Sequence, residues 1–176
     1  MKKLFLLFVL LVLLLSGKVF ADASGWSTPT YINTYIEPHI YTGMMKDAFY
    51  EWSLKTKDKI VFHYIDNPQR ADIEVYFVDK LTAEDAGKDS AIGVTKRAVA
   101  QEYSKIVHAE ILIAEKAPSG RKLVDKEIYK VMLHEIGHAI GLGHSTYKYS
   151  IMYPNKNAAQ QITQDELNKL SKIYGW

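Results

Sequence analysis

Hydrophobic and polar positions alternate in several short segments of the chain, which predicts β-strands. β-Branched and aromatic residues dominate these segments, and turn residues separate them. The predicted strands are residues 31–36, 60–65, 71–78, 91–99 and 107–113. In the third of them, Ile73, Val75 and Phe77 alternate with Glu74 and Tyr76, so that one face is expected to pack on the core.

Apolar residues recur at helical spacing in three other segments. The three stripes consist of Met44, Met45, Ala48, Phe49 and Trp52; of Ile128, Val131, Met132 and Leu133; and of Leu167, Leu170 and Ile173. We expect the second helix to begin near residue 125 and to stop at Gly141, because glycine tolerates a positive φ. The third helix is expected to begin with a capping box, in which Glu166 follows Thr163 by three residues.

The order of these elements predicts an α+β domain. Strands come mostly first and helices last, with the early helix crossing between two parallel strands. The chain has no internal repeat and no Pro/Gly/Ser-rich linker, which indicates one domain over residues 22–176.

The first residues form an apolar segment of a different kind. Lys2 and Lys3 precede an unbroken apolar run at residues 4–15, and small residues follow it. This arrangement is typical of a secretory signal peptide, here residues 1–21, cleaved after Ala21 or Ala23. As a helix the run spans about 18 Å, against about 30 Å for a bilayer core, so we favour signal removal over a retained membrane anchor. We expect a secreted, extracellular protein, or a periplasmic one in a host with an outer membrane.

Composition and charge narrow the classes of partner. The 176 residues are 48% hydrophobic and 24% charged and include no cysteine, which suits one compact domain and excludes a disulfide-stapled scaffold. The formal charge is +2, but the first 21 residues hold three of the 22 basic residues and none of the 20 acidic ones. The remainder therefore carries a charge of −1. A near-neutral chain without a basic run excludes nucleic acid as a partner. We expect the protein to be a monomer.

The candidate chemistry lies in residues 134–144. His134 and His138 are four residues apart on a predicted helix, so both imidazoles can reach one point about 2 Å from each ring nitrogen, as a zinc ion requires. Glu135 is placed so that its carboxylate can meet a water in the metal's open position. A left-handed turn at Gly141 would return His144 as the third ligand. Three neutral imidazoles with one open position suit catalysis; the alternative is an amphipathic helix with two surface histidines.

These residues resemble the extended zinc-binding motif of the metzincin metallopeptidases. The rest of the chain from Trp26 resembles the matrixin branch, the matrix metalloproteases and their bacterial relatives. Ser145 follows the third histidine, as is typical of matrixins, and residues 150–154 are similar to the Met-turn of the family. The resemblance implies that Met152 forms an apolar floor beneath the zinc. Pro154 stands where astacins have a metal-reaching tyrosine, so no tyrosine ligand is expected.

The resemblance also implies a fold and an activity. The fold would be a five-stranded twisted mixed sheet with one antiparallel edge strand and three helices. The activity would be that of a zinc endopeptidase, with Glu135 as general base and a protein or peptide substrate extended along residues 91–96. The pocket past the scissile bond would be lined by Lys130, Val131, Tyr153, Pro154, Asn155 and Lys156. Two alternatives stay open: Lys130 as a solvated helix charge, and a zinc-bearing binding or inhibitory module without turnover.

Departures from the family pattern limit the expected number of zinc ions to one, the catalytic zinc. Matrixins carry a second, structural zinc held by three histidines and an aspartate, yet between His63 and His134 the chain has only His108. The structural zinc is therefore expected to be missing. The loop acids Asp79, Glu84, Asp85 and Asp89 lack a calcium-loop pattern, so solvated surface is favoured and calcium stays undecided. Neither a propeptide with a cysteine switch nor a C-terminal propeller is expected.

Overall fold

The computed structural model describes residues 24–86, 91–100, 102–154 and 160–176. The predicted signal peptide, residues 1–21, lies outside the described residues. Within the described ranges, no helix is both long enough and apolar enough to cross a membrane.

The described elements form one mixed sheet with helices. In chain order they are β1 (Gly25–Trp26), β2 (Ile32–Ile36), α1 (Thr42–Lys55), β3 (Phe62–Tyr64), a 3-10 turn (Pro68–Arg70), β4 (Ile73–Val78), α2 (Ala83–Ala86), β5 (Gly93–Ala100), β6 (Lys105–Ala114), α3 (Asp125–Ala139) and α4 (Gln164–Tyr174). The three predicted helices correspond to α1, α3 and α4. The single turn α2 lies in a segment expected to be a polar loop.

The sheet runs β1-β6-β4-β2-β3 with parallel pairing, and β5 pairs antiparallel with β6. The mixed sheet and the parallel pair β2–β3 around α1 agree with the sequence-based expectation. The predicted number of five strands is wrong, because the described residues form six. The additional strand, β1, pairs Gly25 with Lys105 and Trp26 with Ile106. A strand of two residues is too short to show an alternating pattern.

The strand β5 forms one edge of the sheet. Among the described residues, β6 is its only strand partner, from Gly93 opposite Ile113 to Ala100 opposite Lys105. A register shift between Ala98 and Val99 marks a bulge in this pairing. The outer side of β5 therefore presents backbone groups at the sheet edge, as predicted for this segment.

Helix α3 is held by two buried tryptophans from different elements. The indole Nε1 of Trp52, in α1, donates to the carbonyl of Leu133 at 3.0 Å. The indole Nε1 of Trp26, in β1, donates to the carbonyl of Ala139 at 3.0 Å. Ala139 lies in the last turn, where carbonyls have no partner within the helix. These two bonds fix α3 against both α1 and the sheet.

Candidate metal centre

The end of α3 brings the chain back across its own helix. The helix ends at Ala139, and Gly141 has a φ of +105°. The amide of Gly141 donates to the carbonyl of His138 at 3.0 Å, and that of Leu142 donates to Gly137 at 2.9 Å. This pair of bonds is the Schellman pattern of a helix C-terminus. The left-handed turn predicted at Gly141 is confirmed.

The turn at Gly141 brings the ring of His144 together with the rings of His134 and His138. The Nε2 atom of His138 lies 3.1 Å from Nε2 of His134 and 3.3 Å from Nε2 of His144. Tetrahedral zinc with bonds of about 2.0–2.1 Å to nitrogen sets its ligand atoms about 3.3 Å apart. The spacing of the three rings therefore fits a single zinc ion. Within the described ranges, these rings are the only group of three or more potential ligands close enough to hold a metal ion.

Backbone carbonyls fix the tautomers of two of these rings. The Nδ1 atom of His134 donates to the carbonyl of Ile151 at 2.7 Å, and Nδ1 of His138 donates to Leu142 at 2.8 Å. Because Nδ1 carries the proton, the Nε2 lone pair of each ring is turned toward the shared point, as metal ligation requires. Burial, together with the charge of His134, lowers the pKa of His138 to about 3. This ring is therefore neutral at physiological pH.

The turn at residues 150–153 packs against α3. Met152 is buried, and a Cβ added at Gly137 would lie 2.3 Å from its Sδ atom. Any larger residue than glycine at position 137 would therefore displace Met152 from the helix. The amide of Ser145, next to His144, donates to the carbonyl of Met152 at 2.8 Å. Ser145 thus links the loop that carries His144 to the turn at residues 150–153. Ile151, in the same turn, orients the ring of His134.

A buried carboxylate supports this turn from α4. Glu166 is fully buried and accepts from the Ser150 hydroxyl at 2.6 Å. Its other oxygen accepts from the amide of Thr163 at 2.8 Å and from the Thr163 hydroxyl at 2.6 Å. The Ser150 hydroxyl in turn accepts from the amide of Met152 at 2.9 Å. The bond from Glu166 back to the Thr163 amide agrees with the predicted capping box, but the link to Ser150 was not foreseen.

The carboxylate of Glu135 lies against the edge strand. Glu135 is 5% exposed, and the Thr95 hydroxyl lies 2.7 Å from its Oε2 atom and 2.9 Å from its backbone carbonyl oxygen. A Cβ added at Gly93 would lie 2.7 Å from the Oε1 atom of Glu135. The resemblance to matrixins places the substrate along residues 91–96, but Gly93 and Thr95 were not predicted to be site residues. Their alternation, two residues apart on one face of a strand, was the available signal.

The predicted pocket residues are distributed around the same helix and turn. Val131 is buried, and a Cβ added at Gly93 would lie 2.4 Å from its Cγ1 atom. Lys130 is half-buried. Burial lowers its pKa most, and the nearby charge of Lys126 lowers it further. Tyr153 is half-buried and Pro154 is exposed. Asn155 and Lys156 lie outside the described residues. The pocket itself stays a prediction.

The remaining candidate ligands make local contacts. The Nε2 atom of His108 lies 3.7 Å from a carboxylate oxygen of Glu74. The Asp79 carboxylate pairs with Lys116 at 2.6 Å, and the Asp85 carboxylate accepts from the amide of Thr82 at 2.9 Å. Glu84 lies in α2, and Asp89 lies outside the described residues.

Comparison with known proteins identifies a family and several relatives of the chain. The family model Matrixin matches residues 25–175. The chain is 28% identical to Metalloendoproteinase 1-MMP of Arabidopsis thaliana, covering 75% of the chain and 37% of that protein. It is 26% identical to Metalloendoproteinase 1 of Glycine max, covering 89% and 54%, and 27% identical to Neutrophil collagenase of Homo sapiens, covering 74% and 28%. The chain therefore spans between 28% and 54% of the length of these curated relatives.

Proposed function

Because the chain belongs to the matrixin family, we propose that it is a secreted zinc-dependent endopeptidase with Glu135 as its general base. Residues 22–176 are the catalytic domain, and residues 1–21 are a signal peptide that is removed. The observation that carries the proposal is the convergence of three Nε2 atoms on one point: Nε2 of His138 lies 3.1 Å from that of His134 and 3.3 Å from that of His144.

The histidines and the glutamate have separate roles in the proposed reaction. His134, His138 and His144 would hold a zinc ion, which would supply a Lewis acid to the reaction. Glu135 follows the first ligand on α3 and accepts a proton from the attacking water. It then delivers this proton to the leaving amine, which is general base and general acid catalysis by one group.

The substrate is a protein or peptide segment that lies extended along β5. The outer edge of this strand offers backbone groups for pairing, and β6 is its only strand partner in the described part of the chain. Backbone bonds at a sheet edge give affinity, and alternate side chains entering pockets give specificity. The pocket past the scissile bond is assigned to Lys130, Val131, and residues 153–156.

Substitution of Glu135 by glutamine tests the assignment. Glu135→Gln keeps the shape of the side chain but cannot accept the proton. We expect zinc content equal to wild type and a rate of protein hydrolysis lower by about 10²–10⁴-fold. Glu102→Gln is the matched control, because Glu102 is exposed in the β5–β6 turn; its rate is expected to equal that of wild type.

Two outcomes would contradict the proposal in different ways. A Glu135→Gln variant that keeps its zinc and cleaves as fast as wild type would refute the general base. A wild-type protein that binds zinc but cleaves no protein or peptide would favour the binding or inhibitory module instead.

A further inference from the structure

A threonine of the edge strand contacts the carboxylate assigned as the general base. The Thr95 hydroxyl has a single proton and two acceptors within reach, Oε2 of Glu135 at 2.7 Å and the backbone oxygen of Glu135 at 2.9 Å. The shorter of the two contacts is the one to the side-chain carboxylate. We propose that Thr95 is a positioning residue that holds the Glu135 carboxylate in its working orientation; the inference rests on the proposed function.

The glycine two residues earlier makes this contact possible. A Cβ at Gly93 would lie 2.7 Å from Oε1 of Glu135, 2.8 Å from its Cγ and 2.4 Å from Cγ1 of Val131. Both carboxylate oxygens of Glu135 thus face β5: Oε2 lies at the Thr95 hydroxyl, and Oε1 lies where a side chain at position 93 would need space. The absence of a side chain at position 93 brings β5 close enough for the Thr95 bond to form.

The consequence of this contact is orientation rather than affinity for substrate. A glutamate side chain has three rotatable bonds, and a proton-transfer group must keep its geometry close to the reacting water. The Thr95 hydroxyl, on the face of β5 that packs against α3, restrains rotation about the side-chain bonds of Glu135. The proposed substrate instead pairs with backbone groups on the outer edge of β5. Loss of the hydroxyl should therefore lower kcat and leave KM nearly unchanged.

Two substitutions at position 95 separate the hydroxyl from the shape of the side chain. Thr95→Val removes the hydroxyl and keeps the volume; we expect kcat to fall by about 10–100-fold with KM within about twofold of wild type. Thr95→Ser restores the hydroxyl and should bring kcat to within about threefold of wild type. Thr34→Val is the matched control: Thr34 is a buried strand threonine whose hydroxyl donates to the carbonyl of Ile32. Its kcat should equal that of wild type.

A crystal structure of zinc-loaded Thr95→Val provides a measurement independent of activity. We expect the zinc and its three histidines to be unchanged and the Glu135 carboxylate to have moved away from β5. Thr95→Ala serves the same purpose if valine disturbs folding, as thermal unfolding will report. A Thr95→Val variant with wild-type kcat and an unmoved carboxylate would overturn the inference.

The outcomes also distinguish this inference from the proposed function. If wild type cleaves, Glu135→Gln does not, and Thr95→Val does so at the wild-type rate, only the role of Thr95 falls. If wild type cleaves nothing, the proposed function falls, and the position of the carboxylate in the Thr95→Val crystal structure still decides whether Thr95 orients it.

Discussion

At the scale of single residues, one backbone angle determines whether the third histidine can join the other two. His134 and His138 share a helix, but His144 reaches them only because the chain reverses at Gly141, whose φ is +105°. The sequence predicted this turn because a glycine between the second and third histidines is a local signal that needs no tertiary information.

Gly141→Ala should weaken both folding and zinc binding. Alanine is strained at this φ, at a cost of about 1–3 kcal/mol, and its Cβ would lie 2.3 Å from the backbone oxygen of Ser24. We expect a lower Tm and a weaker affinity for zinc, measured by thermal unfolding and by competition with a chelator.

Gly43→Ala is the control of opposite sign. Gly43 lies in α1 with nothing within 4 Å of an added Cβ, so alanine should stabilise the helix by about 0.5–1 kcal/mol. Equal stabilities and zinc affinities for Gly141→Ala and wild type would show that the turn does not depend on glycine.

At the scale of elements, strong periodicity was sufficient for α1, α3, α4 and the strands β2 to β6. The two elements that were missed, β1 with two residues and α2 with four, span only about one period of the strand or helix pattern, so neither shows a repeat. The strand β1 exists because it pairs with residues far along the chain, Gly25 opposite Lys105 and Trp26 opposite Ile106. Local sequence carries no information on such a partner.

The same distinction applies to the candidate site. The three histidines, Glu135 and Gly141 lie within eleven consecutive residues, so the geometry of one helix and the turn that follows it brought them together. Thr95 is 40 residues from Glu135, and Ser150 is 16 residues from Glu166. These contacts arise where one element packs against another, and a strand pattern does not specify which helix residue its inner face will meet.

Glu166→Ala should destabilise the fold by about 2–4 kcal/mol, because the Ser150 hydroxyl and the Thr163 amide would lose a charged, buried acceptor. It should also weaken zinc binding, since the same turn supplies the carbonyl of Ile151 that orients His134. Chemical denaturation and zinc competition measure the two effects.

The matching variant at the start of α3 is Glu127→Ala. Glu127 also caps its helix, by accepting from the amide of Val124 at 3.0 Å, but in an exposed position beside Arg121. Its loss should cost about 0.5–1.5 kcal/mol. If both variants lost the same stability, burial of Glu166 would not be the reason for its effect.

At the scale of the whole molecule, the three rings connect a helix with the loop that follows it. Two rings belong to α3, and the third lies in the loop that Ser145 ties to the turn of Met152. An ion bound by all three would therefore restrain the helix, the loop and the turn together.

Removal of zinc should abolish hydrolysis and lower Tm, and addition of zinc should restore both. Free zinc at a thousand times its Kd contributes about 4 kcal/mol of stability. Calorimetry with and without a chelator measures the difference. The difference should largely disappear in His144→Ala and persist in His63→Ala, where the ring stacks on Tyr31 away from the cluster. This expectation would be contradicted if the Tm of the zinc-loaded wild type were the same with and without the chelator.

The hydrogen bonds from Trp26 and Trp52 to α3 have an optical consequence. Both indoles are buried, and both donate to carbonyls of the helix that bears the first two histidines. Their ultraviolet fluorescence therefore depends on whether that helix is in place, and Trp176 is the third and last tryptophan of the sequence. The protein carries its own spectroscopic probe for the integrity of the helix, and unfolding can be followed by intrinsic emission without a dye or label.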